Sequence, residues 1–156
     1  MSRAEPSRMA SNFAYPRAGR STCEALRLSL RGRAEQFQIW LLEGQLARVN
    51  AVVDRLPAAL ADLLPIIANP AANMNVRFGA SAVFERHAGS VALQALVPAI
   101  GMLAGHGDHR VRADACHILG LSGAGAARKY LEARLDDPDT EVREIAAESL
   151  AELKTA

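Results

Sequence analysis

Arg110-Val111-Arg112-Ala113-Asp114-Ala115 is the middle one of three stretches that share a pattern, and the others are Asn75-Val76-Arg77-Phe78-Gly79-Ala80 and Glu141-Val142-Arg143-Glu144-Ile145-Ala146. In each stretch a Val-Arg pair comes before an Ala that lies four residues after the Val. A large apolar residue follows eight residues after the Val, as Phe84, Leu119 and Leu150. The three Val positions are 35 and 31 residues apart. A period of this length is typical of stacked helical pairs.

On a helical wheel, the Val and the apolar residues four, seven and eight positions after it share one stripe. We expect that stripe to pack against a preceding helix, and the Ala to be small because another helix backbone passes there. The Arg lies beside the stripe, where its stem covers apolar surface and its guanidinium reaches the preceding turn. The structural anchors of the repeats are therefore predicted to be Val76, Arg77, Val111, Arg112, Val142 and Arg143.

Each repeat reads as helix A, a turn, helix B and a short link. The turns at Gly105–Asp108 and Asp136–Asp139 are rich in residues that stop and cap helices. The first helix A is predicted to start at Pro57, since a proline costs nothing at the first helical position. Its apolar face is formed by Leu60, Leu63, Leu64 and Ile67.

The stretch Val97–Gly120, with Val-Pro-Ala-Ile followed by Val-Arg-x-x-Ala-x-x-x-Leu-Gly, resembles the HEAT repeat. It is similar to the short variety named after phycobilisome lyases, and Asp137–Arg143 is its most typical segment. The resemblance covers Pro57–Leu153. It implies an all-α, right-handed superhelical solenoid of about three HEAT-like helix pairs, with N-terminal capping helices. It leaves function open, because the family spans scaffolds, chromophore lyases, a metal hydroxylase and DNA-repair enzymes.

Residues 21–56 lack the Val-Arg pattern and are predicted to form the N-terminal cap. Ser21 and Glu24 have the spacing of a capping box, which starts a short helix that we expect to stop at Gly32. A longer amphipathic stretch follows from Ala34 to Leu56, and Gly44 is a point where it splits. An amphipathic helix with Trp could instead bind a membrane or a second subunit. The predicted apolar stripe contains Phe37, Trp40 or Leu41, Leu42, Leu46, Val49, Val53 and Leu56.

The charge of the chain is unevenly distributed. Residues 1–33 carry seven Arg and two Glu, whereas the rest of the chain carries 11 basic and 15 acidic side chains. Residues 1–20 are predicted to be a disordered basic tail, because they are rich in Ser, Ala, Gly and Pro. Such a tail is an arm for nucleic acid or for an acidic partner, an organelle transit peptide, or a leader without a binding role.

Composition excludes several classes of protein. No apolar run approaches the length of a membrane span, and residues 1–22 lack the apolar core of a signal peptide. Two distant cysteines, Cys23 and Cys116, favour reduced thiols and a cytoplasmic location. There is no Gly-rich phosphate loop. The net acidic repeat region argues against a nucleic-acid partner.

The outward positions of the B helices are the predicted binding face. HEAT-like solenoids line their concave side with B helices, so the resemblance implies a groove there. We predict that this groove is acidic and floored by small residues, although the same residues could simply be solvated. Its predicted binding residues are Phe78, Ser81, Glu85, Cys116, His117, Glu144 and Glu148, with Ala82, Ala113, Gly120, Ala147 and Ala151 as the floor.

The one chemical candidate is the pair Cys116-His117, with His106 and His109 in the turn before it. Thiolate and imidazole are ligands for zinc and similar metals. However, Cys116 and His117 are adjacent on a helix and point about 100° apart. The hydroxylase branch of the family uses His-Glu pairs, and none occurs in this chain. We therefore predict no catalytic residue, no metal and no cofactor.

The sequence favours a non-catalytic adaptor or accessory factor that binds another protein through the B-helix groove. The glutamates favour a partner with a basic helix or peptide. The alternative is a lyase-like or metal- or cofactor-handling enzyme subunit centred on Cys116 and His117.

Overall fold

The computed structural model describes residues 22–27 and 30–155, and within these ranges every regular element is a helix. The predicted basic tail, and Ser21 of the predicted capping box, lie outside the described residues. The N-terminal helices are α1 (Thr22–Ala25), α2 (Leu30–Leu42) and α3 (Leu46–Arg55). None of the described helices is long and apolar enough to span a lipid bilayer.

Three helical pairs follow, as the repeated Val-Arg pattern predicts. The first consists of a 3-10 helix (Pro57–Leu63) that continues as α4 (Leu64–Ile67), followed by α5 (Met74–Arg86). The second consists of α6 (Val91–Ala95), α7 (Val97–Leu103) and α8 (His109–Leu121). The third consists of a 3-10 turn (Gly125–Ala127), α9 (Arg128–Glu132) and α10 (Thr140–Thr155). The prediction of an all-α stack of helical repeats is confirmed.

The long helices form one layer in the order α2, α5, α8 and α10, each in contact with the next. The shorter segments that precede α5, α8 and α10 form the A layer. A core lies between the layers, and the three Val positions and the Ala positions four residues later are all buried. Side-chain caps start the B helices, because Asn73 and Asp108 accept hydrogen bonds from the backbone N–H groups of Asn75 and Arg110.

The N-terminal cap differs from its prediction in two places. The helix does not stop at Gly32, because α2 runs through that position from Leu30 to Leu42. Leu42 is not part of the apolar stripe, since it is 60% exposed. The split at Gly44 is confirmed, because this residue has a φ of 73°, which favours glycine. The core of the cap is Trp40, which packs on Phe37 with ring centroids 6.3 Å apart.

Arg112, the arginine of the middle repeat, connects neighbouring repeats. Arg112 donates to the carbonyls of His106 and Gly107 in the preceding turn, each at 3.0 Å. It also forms a two-pronged ion pair with Asp137, in the turn of the following repeat, at 2.8 and 2.9 Å. These bonds from Arg112 hold the pKa of Asp137 below its usual range. The arginine therefore bonds in both directions along the stack.

Two further arginines also bond to a neighbouring unit of the stack. Arg77 donates to the carbonyl of Asn69 in the preceding turn and pairs with Asp114 on α8. In the cap, Arg33 of α2 pairs with buried Asp62 at 2.6 Å. Burial raises the pKa of Asp62 even though Arg33 bonds to it. The ion pairs of Arg33, Arg77 and Arg112 all cross between successive units of the stack.

Glycine allows the closest approach between α8 and α10. A Cβ atom added to Gly120 would lie 2.7 Å from the Cβ of Ser149 and 3.1 Å from its backbone Cα. We expect Gly120→Ala to destabilise the fold by roughly 1–3 kcal/mol, because the overlap outweighs the gain in helix propensity. Urea unfolding followed by circular dichroism measures this change.

A matched control is Gly79→Ala in α5. There an added Cβ meets the terminal methyl group of Leu41 at 2.8 Å, whereas the Leu41 Cβ and Cγ atoms are 3.5 Å away. Because a methyl group at the end of a side chain can rotate away, the loss of stability should be clearly smaller than for Gly120→Ala. Equal losses in the two variants would contradict the close contact between α8 and α10.

Candidate functional site

The exposed side of α2, α5, α8 and α10 is here called the B-helix face. Two large apolar side chains of α5, Met74 and Phe78, lie on it, and each is 65% exposed. They are one turn apart on the helix, so they occupy adjacent positions on the surface. Apolar side chains this exposed and this close together are typical of interaction sites.

A cleft of about 400 Å³ opens beside these two residues, and it is here called the central cleft. Met74, Phe78 and Ser81 of α5 line it together with residues from the first turns of α8 and α10. Those residues include His109, Arg110, Glu141 and Ile145. Three consecutive B helices therefore build this cleft, and none of them could form it alone.

A second cleft of about 490 Å³ lies towards the N-terminus, and it is here called the N-terminal cleft. It lies between α2 and α4 and is lined by Ala34, Gln38, Pro65 and Ile66 among others. Ala72 lines both clefts. The two clefts therefore adjoin, and together they are here called the groove of the B-helix face, although α4 of the A layer also lines the N-terminal cleft.

The charges in this groove differ from the purely acidic set that the sequence predicts. Two arginines line the central cleft, but each is paired: Arg110 with Asp108 and Arg77 with Asp114. Further along α5 and α8, His117 lies 3.4 Å from Glu85. These pairs leave little net charge in the centre of the groove.

Three carboxylates of α10 lie outside these ion pairs. Glu141, Glu144 and Glu148 are exposed, and within the described part of the chain none of them has an ion-pair partner. They are three and four residues apart, so they lie along one side of the helix. Three unpaired carboxylates so close together produce a negative potential that attracts cations.

The prediction that Cys116 is exposed on this face is wrong. Its side chain is fully buried, and Ala113 and Gly120 of the predicted floor are buried as well. The physical reason is the close packing of α10 on α8, which covers the side of α8 that the helical wheel places outward. Burial raises the pKa of the Cys116 thiol to about 11, so the thiol is protonated at neutral pH and is a poor nucleophile or metal ligand.

Thiol reactivity tests this placement. A Cys23→Ser variant leaves Cys116 as its only thiol. This thiol should react with a disulfide reagent such as dithionitrobenzoate at least a hundredfold more slowly in buffer than in denaturing urea. The reason is that a protonated, buried thiol does not attack a disulfide. A pKa of about 11 is roughly two units above that of a free thiol, and it lowers the thiolate fraction at neutral pH about a hundredfold. A reaction at similar rates in both conditions would contradict burial of Cys116.

The structure does not bring the candidate metal ligands together. His106 accepts a hydrogen bond from the backbone N–H of Asp108 at 3.0 Å and thereby shapes its turn. His109 lines the central cleft, whereas His117 points towards Glu85. Among residues 22–27 and 30–155, no three His, Cys, Asp or Glu side chains are grouped as metal ligands would be.

Some of the groove was visible in the sequence and some was not. The structure brings Phe78 and Ser81 together in the central cleft and places Glu85 next to His117. Glu144 and Glu148 are exposed on α10. The outward wheel positions do not include four other lining residues of the cleft, which lie near the starts of their helices: Met74, Arg110, Glu141 and Ile145.

The contribution of α2 was also missed, although the sequence contains a signal for it. Arg33 precedes Trp40 by seven residues, as Arg77 precedes Phe84 and Arg112 precedes Leu119. This spacing marks α2 as a divergent B helix whose Val position is occupied by Gly32. The outward residues of α2 thereby extend the B-helix face by one helix.

Comparison with known families agrees with this architecture. A family model described as HEAT repeats matches residues 60–151, which is more than half of the chain. No curated protein and no solved structure matches the chain.

Proposed function

Because the chain belongs to the HEAT repeat family, we propose that it is a non-catalytic adaptor that binds a basic segment of another protein in the groove of its B-helix face. HEAT repeats generally mediate interactions between proteins, and the family is typically non-catalytic. The observation that carries the proposal is the exposure of Phe78 and Met74 at the rim of the central cleft.

The apolar part of the groove supplies the affinity in this proposal. Aromatic side chains that become desolvated in a complex often contribute a large share of the binding free energy. Phe78 lies beside a cleft that is large enough to accept a side chain of the partner. An apolar residue of the partner would fill the cleft and cover Phe78 and Met74.

The carboxylates of α10 supply the preference for a basic partner. Glu141, Glu144 and Glu148 have no ion-pair partners among the described residues, so a partner's Lys or Arg does not have to displace an existing cation. Exposed charges of this kind chiefly raise the association rate and select the partner, and their effect decreases with salt.

An enzyme subunit centred on Cys116 and His117 is the alternative function, and it has less support. The Cys116 thiol is buried and its pKa is raised to about 11, whereas His117 lies on the surface beside Glu85. A nucleophile needs a base within hydrogen-bond distance. No contact between these two side chains supports a catalytic pair.

Photo-crosslinking tests the proposed face. A benzoylphenylalanine residue introduced at Phe78 should crosslink a protein partner in cells. The same residue at Met102 of α7, which is more exposed but lies in the A layer, should not. The crosslinked protein is then identified by mass spectrometry. Crosslinking at Met102 and not at Phe78 would assign binding to the A layer and contradict the proposal.

With the partner identified, the binding affinities of substituted proteins test the proposed roles of single residues. Phe78→Ala should weaken binding by about tenfold or more, which corresponds to 1.4 kcal/mol or more for an exposed aromatic anchor. Glu144→Lys combined with Glu148→Lys should slow association and reduce its salt dependence. The control Arg128→Glu, on α9, should bind like the unmodified chain. Normal binding by both groove variants would disprove this role of the face.

A further inference from the structure

We propose that the N-terminal cleft binds a lysine side chain of the partner, with the ammonium group on Asp62 and the aliphatic stem between α2 and α4. This inference rests on the proposed function, because it names one residue of the segment that occupies the groove. It is supported by the buried carboxylate in the wall of the cleft, by the other residues that line the cleft, and by the position of the cleft in the groove.

Asp62 places a buried carboxylate in the wall of the N-terminal cleft. Its side chain is only 3% exposed, and it lines the cleft. In the described part of the chain this side chain accepts one hydrogen bond, from Nε of Arg33 to Oδ2 at 2.6 Å, and Oδ1 has no donor. A carboxylate has about four acceptor sites, and a buried one is stabilised by further donors. Oδ1 of Asp62 is therefore an acceptor that a ligand in the cleft can use.

The ion pair between Arg112 and Asp137 shows what a fully bonded carboxylate looks like in the same stack. Asp137 accepts hydrogen bonds from Arg112 on both oxygens and a third from the backbone N–H of Asp139. These bonds lower the pKa of Asp137, whereas burial raises the pKa of Asp62 in spite of its bond to Arg33. The contacts of Asp62 within the chain thus do not offset its loss of hydration, and a donor from outside would do so.

The other lining residues suit a cation on an apolar stem. Glu35 adds a second carboxylate and Gln38 and Asn69 add two amides, whereas none of the described residues that line the cleft is basic. The remaining lining residues are alanine, proline and isoleucine. A lysine side chain has these two parts, because its four methylene groups cover apolar surface while its ammonium group keeps polar partners.

The single available oxygen favours lysine over arginine. A guanidinium is a planar fork that bonds best to both oxygens of a carboxylate. Oδ2 of Asp62 is already bonded to Arg33, so only Oδ1 is left. An ammonium group is a compact charge with three rotatable donors, and it needs only one carboxylate oxygen.

The position of the cleft gives the order of residues in the partner. The N-terminal cleft adjoins the central cleft at Ala72, and the carboxylates of α10 lie at the far end of the layer from α2. The apolar residue of the partner that covers Phe78 therefore lies between the lysine and the basic residues that face α10.

Small probes on the full chain test the chemistry of the cleft. The probe is n-butylammonium, which is the side chain of lysine, and its binding is followed by amide chemical shifts of the ¹⁵N-labelled protein. We expect it to shift the signals of Ala61 and Ala72 and to reach half-saturation at about a tenfold lower concentration than 1-butanol, because a charge-assisted hydrogen bond is the stronger one. Propylguanidinium, the side chain of arginine, should bind more weakly than n-butylammonium. Equal binding of n-butylammonium and 1-butanol, or shifts confined to Glu144 and Glu148, would overturn the proposal.

Two variants locate the binding. Asp62→Asn keeps the shape of the side chain and should remove the preference for n-butylammonium over 1-butanol. Ala34→Leu fills the cleft without changing the ion pair of Asp62, so it should abolish the shifts from both probes and decides the question if Asp62→Asn does not fold. The matched control is Ser81→Leu in the central cleft, which should leave probe binding unchanged. Binding of n-butylammonium that survives Ala34→Leu would place it outside the cleft and contradict the proposal.

The partner that is crosslinked at Phe78 tests whether the cation comes from a protein. Ala34→Leu should weaken the binding of that partner about tenfold, and so should the loss of the partner's lysine. If n-butylammonium binds in the cleft but Ala34→Leu leaves partner binding unchanged, the cleft takes a free amine and the proposal is wrong. If the probes fail while Phe78 still crosslinks, only this inference is lost. If Phe78 crosslinks nothing, the proposed function is lost and the partner's lysine with it.

Discussion

Arg112→Met should destabilise the protein by up to about 3–5 kcal/mol, because it removes the two-pronged partner of the buried carboxylate of Asp137 and leaves only Arg134 beside it as a counter-ion, at 3.4 Å. Asp137 accepts two hydrogen bonds from Arg112, and its side chain is fully buried. At pH 7 Asp137 is ionised, since the bonds from Arg112 lower its pKa. Urea unfolding at pH 7, followed by circular dichroism, measures the loss.

Two further variants separate the buried pair from charge in general. Arg110→Met removes an arginine from the same helix whose ion pair with Asp108 is exposed, so it should cost much less. Arg112→Met combined with Asp137→Leu removes both charges and should recover part of the lost stability. If Arg112→Met and Arg110→Met had the same effect, the contact between repeats would not contribute as we describe.

Phe37→Ala should destabilise the N-terminal cap by about 3–5 kcal/mol, the usual cost of removing a buried aromatic ring. Phe37 is fully buried and packs on Trp40, which is the only tryptophan of the chain. Tryptophan fluorescence therefore reports the cap, while circular dichroism reports all helices. In a stack of repeats the terminal unit depends on its neighbour alone. We expect the fluorescence transition to move to lower urea than the circular dichroism transition.

Phe78→Ala is the matched control, since it removes the same side chain from an exposed position of α5. Its effect on stability should be within about 0.5 kcal/mol, as is usual for surface substitutions. Similar losses from Phe37→Ala and Phe78→Ala would mean that the aromatic residues are not divided between core and surface as the structure describes. The same pair of variants also separates stability from binding, because only Phe78 is proposed to contact a partner.

The candidate site depends on the spacing between helices more than on the helices themselves. Ser81 and Phe78 come from one helix and are correctly predicted to be neighbours on its outward side. The cleft beside them requires the first turns of α8 and α10 to lie at the same level as α5. That level is set by the turns and by the ion pairs of Arg77 and Arg112, whose partners are in the next repeat. A helical wheel contains no information on those distances.

The sequence by itself determined the helical repeats and their order, because the spacing of Val, Arg, Ala and a large apolar residue is a local property of one helix. It also determined the split at Gly44, where a positive φ favours glycine. Only the tertiary structure decided that Arg112 reaches forward to Asp137 and that Cys116 is buried. The physical reason is that burial and pairing at these positions depend on how closely the neighbouring helix approaches. For α8 and α10, that distance depends on Gly120 and Ser149, which are 29 residues apart in the chain.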